Sequence, residues 1–461
     1  MSSPEKIVEY WETENLPSMQ KNSPDFHVAI EESLTEASLS TACNHPYLPV
    51  ETIEEQQLTR IKQLVTTAFE KTDFYKAKYA DEGFHPNDLK TWDDYHALPI
   101  VTKDELIEAF PDKCLNSDYN EEDLFPTRSS GSSGKTLLIR VNPQAIITDT
   151  LQGIRQLILQ TGGSYNEAST IAHVYTVPWW VDHYGVDLYQ NIFVSSLVEP
   201  QKIAKILDEV RPDVLSLYPS NLASIIPFLS EGMKSKLRTV VTHSEMSSAK
   251  ERSEYAKALG TVVLDEYSSE EMTRIALQLP NGKYYLCEDT VRLDIIDQES
   301  RKVIKKGTGV AVGTNLLNEA MPFIRYQQGD LITIGEQTPS PINWRQIEKV
   351  DGRSNDSFVR EDGAEIPAGT ILDITYRWMF DVGVNIQEFS IIQKSPTEIV
   401  IEAFEPKLKG NPELLLKSLS HFEELARYVL GNNLKVTLNL QDSPETPQRN
   451  AKKRRPIRKD F

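Results

Sequence analysis

The sequence has few cysteines and lacks long apolar runs. Its three cysteines, Cys43, Cys114 and Cys287, lie far apart and form no CxxC pair. This pattern excludes a disulfide scaffold and a cysteine-rich zinc site, and it is typical of a reducing compartment. No apolar run approaches the ~18 residues that a membrane span needs, and the first residues carry no hydrophobic signal core. We therefore expect a cytoplasmic protein without a membrane span.

Basic residues are in the minority. The 461 residues include 49 Lys and Arg against 68 Asp and Glu, which gives a formal net charge of −19. Because an acidic chain repels phosphate backbones at long range, we expect no nucleic-acid partner. A site for one small nucleotide stays compatible with this charge, since a single anion needs only local donors. At about 100–200 residues per domain, the length suggests two to four domains.

β-branched runs alternate with amphipathic segments between residues 100 and 325. The pattern predicts strands at 136–141, 170–177, 213–217 and 239–242, and helices at 145–160, 201–210 and 222–229. Short strands separated by amphipathic helices are typical of a parallel α/β core with helices on its faces. We therefore predict the α/β class.

The pattern changes after residue 284. Short strands at 284–286, 291–296, 309–314 and 331–334, joined by Gly, Asn and Asp turns, predict a small separate sheet or barrel. The stretch DGRSND at 351–356 has turn composition, and alternating helices and strands follow it. We therefore predict a large amino-terminal domain of several subdomains, residues 1–352, and a small α+β carboxy-terminal domain, residues 353–461.

The segment SSGSSGKT at 129–136 is the most informative part of the sequence. Small residues let backbone N–H groups face an anion, hydroxyls add donors, and Lys135 adds a positive charge. A flexible Ser/Gly linker is the alternative for this segment taken alone. A Walker A loop is disfavoured because Ser129 stands where its first glycine belongs and a strand pattern, not a helix, follows. The segment therefore predicts a phosphate-binding loop of another kind.

Six segments in a fixed order together resemble the adenylate-forming superfamily, in particular its phenylacetate–CoA ligase and capsule-biosynthesis-like branch. The segments read LPIVTKDEL at 98–106, SSGSSGKT at 129–136, HYG at 183–185, DEYSSEE at 265–271, AMPFIRYQQGD at 320–330 and GR at 352–353. The likeness as a whole covers about residues 55–460. Several ordered motifs are much harder to meet by chance than one. The resemblance implies a large nucleotide-binding domain and a small mobile domain that rotates between two reaction steps.

The resemblance also implies a set of nucleotide-binding residues. Phosphates, adenine and ribose would be held by Ser129, Ser130, Gly131, Ser132, Ser133, Gly134, Lys135, Ser244, Glu245, Glu266, Tyr267, Ser268, Asp330 and Arg353. Tyr267 would stack on adenine, Asp330 would accept both ribose hydroxyls, and Glu271, with Glu270 beside it, would hold Mg²⁺. Each position has a structural alternative: a half-buried tyrosine, a turn aspartate, and acidic residues that open a helix.

An acid pocket and the catalytic groups follow from the same resemblance. The pocket would be lined by Trp179, Trp180, His183, Tyr184 and Tyr218, although such aromatic residues also fill cores. Catalytic roles fall to Lys135, His183 and a lysine of the basic tail. We favour Lys453 for this lysine, with Lys452 as the next candidate, because the motif does not fix the position within the tail. A solvated basic tail is the structural alternative.

The implied reaction uses ATP, Mg²⁺ and coenzyme A. A carboxylic acid, expected to be aromatic, would form an acyl-adenylate with release of pyrophosphate, and a thiol would then displace AMP. Transfer to a carrier-protein thiol or to an amine, and a degenerate member that binds nucleotide without turnover, remain alternatives. The degenerate alternative is motivated by Ser268, where the family has glycine, and by Asn355, where it has aspartate. The sequence leaves a homodimer open.

Overall fold

A computed structural model describes most of the chain. The described residues are 30, 32–129, 136–175, 188–196, 198–245, 247–297, 299–352, 358–366, 368–384, 386, 388–404, 408, 410–440 and 457–460. The α-helices within them are α1 (Glu36–Asn44), α2 (Val50–Lys71), α3 (Asp73–Asp81), α4 (Trp92–Ala97), α5 (Lys103–Ala109), α6 (Pro143–Gln160), α7 (Pro200–Val210), α8 (Pro219–Ile225), α9 (Glu231–Lys234), α10 (Ala249–Leu259), α11 (Ala368–Val382) and α12 (Pro412–Leu430).

The strands form several sheets. They are β1 (Phe125–Arg128), β2 (Leu138–Val141), β3 (Thr170–Tyr175), β4 (Gln190–Ser195), β5 (Val214–Leu217), β6 (Thr239–Thr242), β7 (Val262–Ser269), β8 (Thr273–Gln278), β9 (Tyr284–Leu286), β10 (Val291–Ile296), β11 (Gly307–Asn315), β12 (Tyr326–Ile334), β13 (Gln346–Ile347), β14 (Lys349–Gly352), β15 (Phe358–Val359), β16 (Glu365–Ile366), β17 (Glu388–Ser395), β18 (Glu398–Phe404), β19 (Lys435–Leu440) and β20 (Ile457–Lys459).

The largest sheet has the strand order β13-β9-β8-β7-β6-β5-β3-β4. Strands β4, β3, β5, β6 and β7 run parallel, and β8, β9 and β13 add antiparallel strands at one edge. The prediction of a parallel α/β core is confirmed. Strand β3 lies between β4 and β5, so the direction of winding reverses at β3, which is the type of position where open α/β sheets leave a crevice.

Helices cover both faces of the parallel strands. Every residue of β5 and β6 is buried, which explains why apolar and β-branched residues dominate both strands. On one face, Val214 belongs to the same apolar cluster as Ile146 of α6. On the other face, Leu215 shares a second apolar cluster with Leu207 of α7. Each such buried aliphatic side chain contributes about 1.5–3 kcal/mol to folding.

A smaller antiparallel sheet follows along the chain, in the order β10-β11-β12-β14. The prediction of a separate small sheet is therefore correct for these strands and wrong for 284–286. Strand β9 pairs with β8 in the large sheet, because the chain reverses sharply at Gly282, whose φ is 78°. The turn predicted at 351–356 is also wrong at its start, because residues 351 and 352 end β14, which pairs with β12.

The last part of the described chain has its own sheet and core. Its strands follow the order β19-β18-β17-β20, with β15 and β16 as a separate pair. An apolar cluster that includes Phe358, Trp378, Phe389, Phe422 and Ile457 lies among these elements. Because a compact domain has its own core, this cluster is compatible with a domain beginning near residue 353. None of the described helices is long and apolar enough to cross a membrane.

Candidate active site

Strands β1 and β2 form a hairpin that flanks the predicted phosphate loop. Arg128 lies opposite Leu138 in the antiparallel register. Ser129 N–H donates to the carbonyl of Leu137 (2.9 Å), and Leu137 N–H donates to Ser129 Oγ (3.0 Å). Both Ser129 and Thr136 are buried. The two ends of the loop are therefore fixed side by side, and the Ser129 hydroxyl helps to hold them; positions 130–135 lie outside the described residues.

The hairpin contacts the acidic pair that follows β7. Thr127 Oγ1 donates to Glu270 Oε2 at 2.6 Å. Glu270 and Glu271 lie in the turn between β7 and β8, so they do not open a helix. Burial, together with the negative charges of Glu271 and Asp149, raises the pKa of Glu270 to about 7 against the opposing effect of the Thr127 hydrogen bond. Excess negative charge is therefore concentrated beside the base of the loop.

Alternate residues of β7 and its following turn meet alternate residues of β12. Three side-chain hydrogen bonds join them: Tyr267 Oη to Asp330 Oδ2 (2.8 Å), Ser269 Oγ to Gln328 Oε1 (2.8 Å), and Tyr326 Oη to Glu271 Oε1 (3.0 Å). We call these three contacts the side-chain ladder. Because residues two apart in a strand share one face, the ladder aligns one face of each segment along the other.

The side-chain ladder connects the large sheet to the small one. It gathers Tyr267, Glu271 and Asp330, which are the predicted base-stacking ring, metal ligand and ribose acceptor. Glu271 is 7% exposed and Asp330 is 9% exposed, whereas Tyr267 is half-buried. The backbone carbonyl of Glu271 also accepts a hydrogen bond from Asn315 Nδ2 at 2.9 Å. The two carboxylates are thus held at defined positions close to the surface.

Further polar contacts position the strand that carries Tyr267. Gln156 Nε2 of α6 donates to Glu266 Oε2 at 2.5 Å. Ser268 lies opposite Arg274 next to a shift in strand register. Arg274 forms an ion pair with Asp149, and although burial opposes it, the carboxylates of Asp149 and Glu266 raise the pKa of Arg274. Arg274 therefore remains a cation beside Asp149.

The turn after β6 is tied to helix α8. Ser244 has a φ of 64°, in the left-handed region, and Glu245 follows it. The carboxylate of Glu245 accepts hydrogen bonds from the backbone N–H (3.1 Å) and the hydroxyl (3.0 Å) of Ser220, in the first turn of α8. Such an acidic cap stabilises a helix start. The predicted adenine-contacting turn is therefore rigidly attached to its neighbour.

Tyr218 follows β5 directly and is buried in an aromatic group. Its ring lies edge-on to Tyr175 (5.6 Å between centroids) and to His243 (5.3 Å). The rings of Tyr175 and His243 stack at 4.6 Å with an interplanar angle of 15°. All three residues end or follow parallel strands, so they lie at the carboxyl edge of the large sheet.

Several predicted site residues lie outside the described residues. They are Ser130, Gly131, Ser132, Ser133, Gly134, Lys135, Trp179, Trp180, His183, Tyr184, Arg353, Lys452 and Lys453. Their roles remain predictions. Within the described ranges, no group of three or more His, Cys, Asp or Glu side chains could hold a metal ion. Glu270 and Glu271 are a pair, which suits a cation that takes its other ligands from phosphates and water.

Phenylacetate–coenzyme A ligases are among the relatives of this sequence. The enzyme of Pseudomonas putida is 25% identical over 322 residues, which cover 67% of this chain and 72% of that protein. The enzyme of Escherichia coli K12 is 24% identical over 324 residues, or 67% and 73% of the two chains. No family model matches the chain. The predicted resemblance to phenylacetate–CoA ligases is confirmed, at about 25% identity over two thirds of the chain.

A solved CoA ligase has a similar fold. It is a 2-hydroxyisobutyryl-CoA ligase in complex with 2-HIB-AMP and CoA in the thioesterification state. The match has a TM-score of 0.61 and 18% identity, and it covers 90% of this chain and 91% of the other. Likeness at this identity concerns the fold. The predicted fold class, with several sheets and helices, is confirmed.

Some residues that position the candidate site could be identified only from the structure. Thr127, Gln156 and Tyr326 hold predicted ligand-contacting residues through the hydrogen bonds given above. Ser269 and Gln328 bond each other and so join the two segments that carry those residues. The period of two along 326–330 was the available signal in the sequence. It indicates a shared face and leaves the partner on β7 unspecified, because that partner lies about sixty residues away.

Proposed function

We propose that this chain is an AMP-forming acid–thiol ligase that activates an aromatic carboxylic acid. A carboxylate oxygen of the acid attacks the α-phosphorus of ATP, and the bond to the β-phosphate oxygen breaks, releasing pyrophosphate. The thiol of coenzyme A then attacks the acyl carbon, loses its proton to solvent, and displaces AMP. The side-chain ladder carries this proposal, because it sets an aromatic ring and two carboxylates on one surface beside the loop hairpin.

The nucleoside would bind at Tyr267 and Asp330. The aromatic ring offers a stacking face for adenine, and the carboxylate offers acceptors for the two ribose hydroxyls. Support comes from the 2.8 Å bond between Tyr267 Oη and Asp330 Oδ2, since a single contact orients both groups. Glu266 and Ser268 flank Tyr267, and the turn at Ser244 and Glu245 would contact the adenine.

Mg²⁺ would be held by Glu271, with Glu270 beside it. The fit is supported by the raised pKa of Glu270, because two neighbouring carboxylates shielded from water are stabilised by a cation between them. When bound, the ion would neutralise charge on the phosphate oxygens. Thr127 and Tyr326 orient the two carboxylates through their hydroxyl groups.

The remaining roles are assigned to residues outside the described part of the chain. Backbone N–H groups, serine hydroxyls and Lys135 of the 130–135 loop would bind the phosphates, and Lys453 or Lys452 would offset charge at the α-phosphate. Arg353 would reach the ribose and phosphate region. The boundary at residues 352 and 353 would let a small domain rotate between the two half-reactions.

The acid would bind near Tyr218, with Trp179, Trp180, His183 and Tyr184 around it. Two observations support an aromatic acid and coenzyme A: the buried aromatic group at the carboxyl edge, and relatives named phenylacetate–coenzyme A ligase. The three cysteines are free thiols, which supports a cytoplasmic location.

Exchange of labelled pyrophosphate into ATP tests the first step. We expect exchange that depends on Mg²⁺ and on one of a panel of aryl and fatty acids. Addition of coenzyme A should then yield AMP and a thioester in equal amounts. Absence of exchange with every acid would refute adenylation. Exchange without a thioester to coenzyme A would refute that acceptor and direct the search to carrier-protein thiols or amines.

A further inference from the structure

The carboxyl edge of the large sheet carries an aromatic cluster of Tyr175, Tyr218 and His243. Tyr175 ends β3 and Tyr218 follows β5, and the winding of the sheet reverses between these two strands. Open α/β sheets bind ligands in the crevice at the carboxyl ends of the two strands where the winding reverses. His243 follows the next strand, β6, and its ring stacks on Tyr175 at 4.6 Å. The aromatic cluster therefore lies where this topology favours a small-molecule site.

The two ring nitrogens of His243 differ in their hydrogen bonding. Nδ1 lies 2.9 Å from Ser244 Oγ. Nε2 is fully buried and has no hydrogen-bond partner within the described part of the chain, and the whole residue is 3% exposed. Burial, helped by the nearby His173, lowers the pKa of His243 to about 3, so its ring is neutral at physiological pH. A neutral ring with one unused nitrogen lies within the aromatic cluster.

Buried polar atoms in folded proteins nearly always have a partner, and an exception calls for an explanation. If the ring of His243 only packed against Tyr175 and Tyr218, a phenylalanine would pack equally well, and it has no polar atom that needs a hydrogen-bond partner. A bound ligand that supplies the partner removes the cost of the unused nitrogen. A lone nitrogen at a ligand-binding edge is therefore better explained by recognition than by packing.

We propose that His243 is a specificity-determining residue, whose Nε2 pairs with a hydroxyl group on the ring of the acid substrate. This proposal rests on the proposed function. The Ser244 hydroxyl can either donate to or accept from Nδ1, so Nε2 can carry the lone pair or the proton. A hydroxyl group complements both forms, whereas a carboxylate only accepts and an ammonium only donates. The rings of Tyr175 and Tyr218 favour an aryl acid over an aliphatic one.

Matched pairs of acids test this assignment in the full-length protein. Pyrophosphate exchange is measured with phenylacetate against 2-, 3- and 4-hydroxyphenylacetate, and with benzoate against the three hydroxybenzoates. For one position of the hydroxyl, we expect kcat/KM to exceed that of the parent acid by about tenfold or more, because a site built to pair with a hydroxyl rejects the analogue that lacks it. In His243→Phe the ratio should fall to about one, and in His243→Gln, which keeps polar atoms, part of it should return.

His173→Phe is the matched control. The ring of His173 also packs against Tyr175, at 5.6 Å, and it belongs to the strand rather than to the turn after β6. This variant should keep the preference of the wild type. Equal use of hydroxylated and parent acids by the wild type would overturn the assignment without any variant, and so would a preference that survives in His243→Phe. Both results leave adenylation intact, whereas absence of exchange with every acid overturns the assignment and the proposed function together.

Discussion

Removal of one hydroxyl group tests whether Tyr267 positions Asp330 for ATP. Tyr267→Phe keeps the ring for adenine and deletes only the Oη that donates to Asp330 Oδ2 at 2.8 Å. A hydrogen bond to a charged group contributes about 1.5–3 kcal/mol, equivalent to about 10–150-fold in an equilibrium constant. Because Asp330 is 9% exposed, water can replace part of the lost contact, and we expect the lower end of this range.

The assay is pyrophosphate exchange at varied ATP with the preferred acid held at saturation. We expect the KM for ATP to rise about tenfold in Tyr267→Phe, with a smaller change in kcat, because the contact orients a group that binds the nucleoside in ground state and transition state alike. Tyr284→Phe is a matched control, because Tyr284 Oη donates to Asp265 Oδ2 at 2.6 Å. Asp265 lies on β7, the strand that also carries Tyr267. Tyr284→Phe should lower the free energy of unfolding and leave the KM for ATP within about twofold.

Two results would refute this reasoning. An unchanged KM for ATP in Tyr267→Phe would mean that Asp330 does not depend on the hydroxyl for its position, or does not contact ATP. An equal rise in both variants would mean that loss of any buried tyrosine–aspartate bond loosens the site. Urea unfolding of both variants separates a local effect from general destabilisation.

Three further outcomes follow from the other contacts. Tyr326→Phe, which deletes the donor to Glu271, should raise the Mg²⁺ concentration needed for half-maximal exchange. Tyr95→Phe, which deletes a buried hydrogen bond to Thr314 (2.8 Å), should affect only stability. The same Mg²⁺ dependence in Tyr326→Phe and in the wild type would count against Glu271 as a ligand. The pKa of Glu270 is raised from 4.5 to about 7 in the folded chain, so without Mg²⁺ the free energy of unfolding should fall as the pH rises from 4.5 to about 7. Glu270→Gln should flatten this pH dependence in urea titrations. The same pH dependence in the wild type and in Glu270→Gln would contradict the raised pKa. Lys453→Ala should reduce adenylation strongly and leave the unfolding midpoint unchanged. Unchanged pyrophosphate exchange in this variant would mean that Lys452, or no lysine of the tail, is the catalytic lysine.

The parallel core could be predicted from the sequence because its signal is local. Strand β6 has the predicted bounds, 239–242, since each of its residues is buried and β-branched. Helix α7 begins one residue before its predicted start, at Pro200, which suits the first turn of a helix. The helix predicted at 222–229 instead spans Pro219–Ile225, followed by a short 3₁₀ segment that contains Pro227. Proline thus shifted boundaries without changing the type of element.

Strand β7 was not predicted, because its apolar pattern is interrupted by charge. Asp265 and Glu266 lie in mid-strand, where a sequence pattern suggests a loop. The structure satisfies both side chains with distant donors, Tyr284 for Asp265 and Gln156 for Glu266. Contacts over such separations are set by the tertiary fold. Motif resemblance could therefore locate Tyr267, Glu271 and Asp330, but it could not identify the residues that hold them.

The donors of the side-chain ladder explain how two carboxylates can be both fixed and reactive toward ligands. Glu271 and Asp330 each accept a bond from a tyrosine hydroxyl, from Tyr326 and Tyr267 respectively. A lysine or arginine at the same distance would orient the carboxylates equally well and would also neutralise them. A neutral hydroxyl restricts geometry while the full negative charge remains for a divalent cation or for ribose hydroxyls. Since ordering these groups before ATP arrives lowers the cost of binding, the choice of tyrosine is consistent with a preorganised nucleotide site.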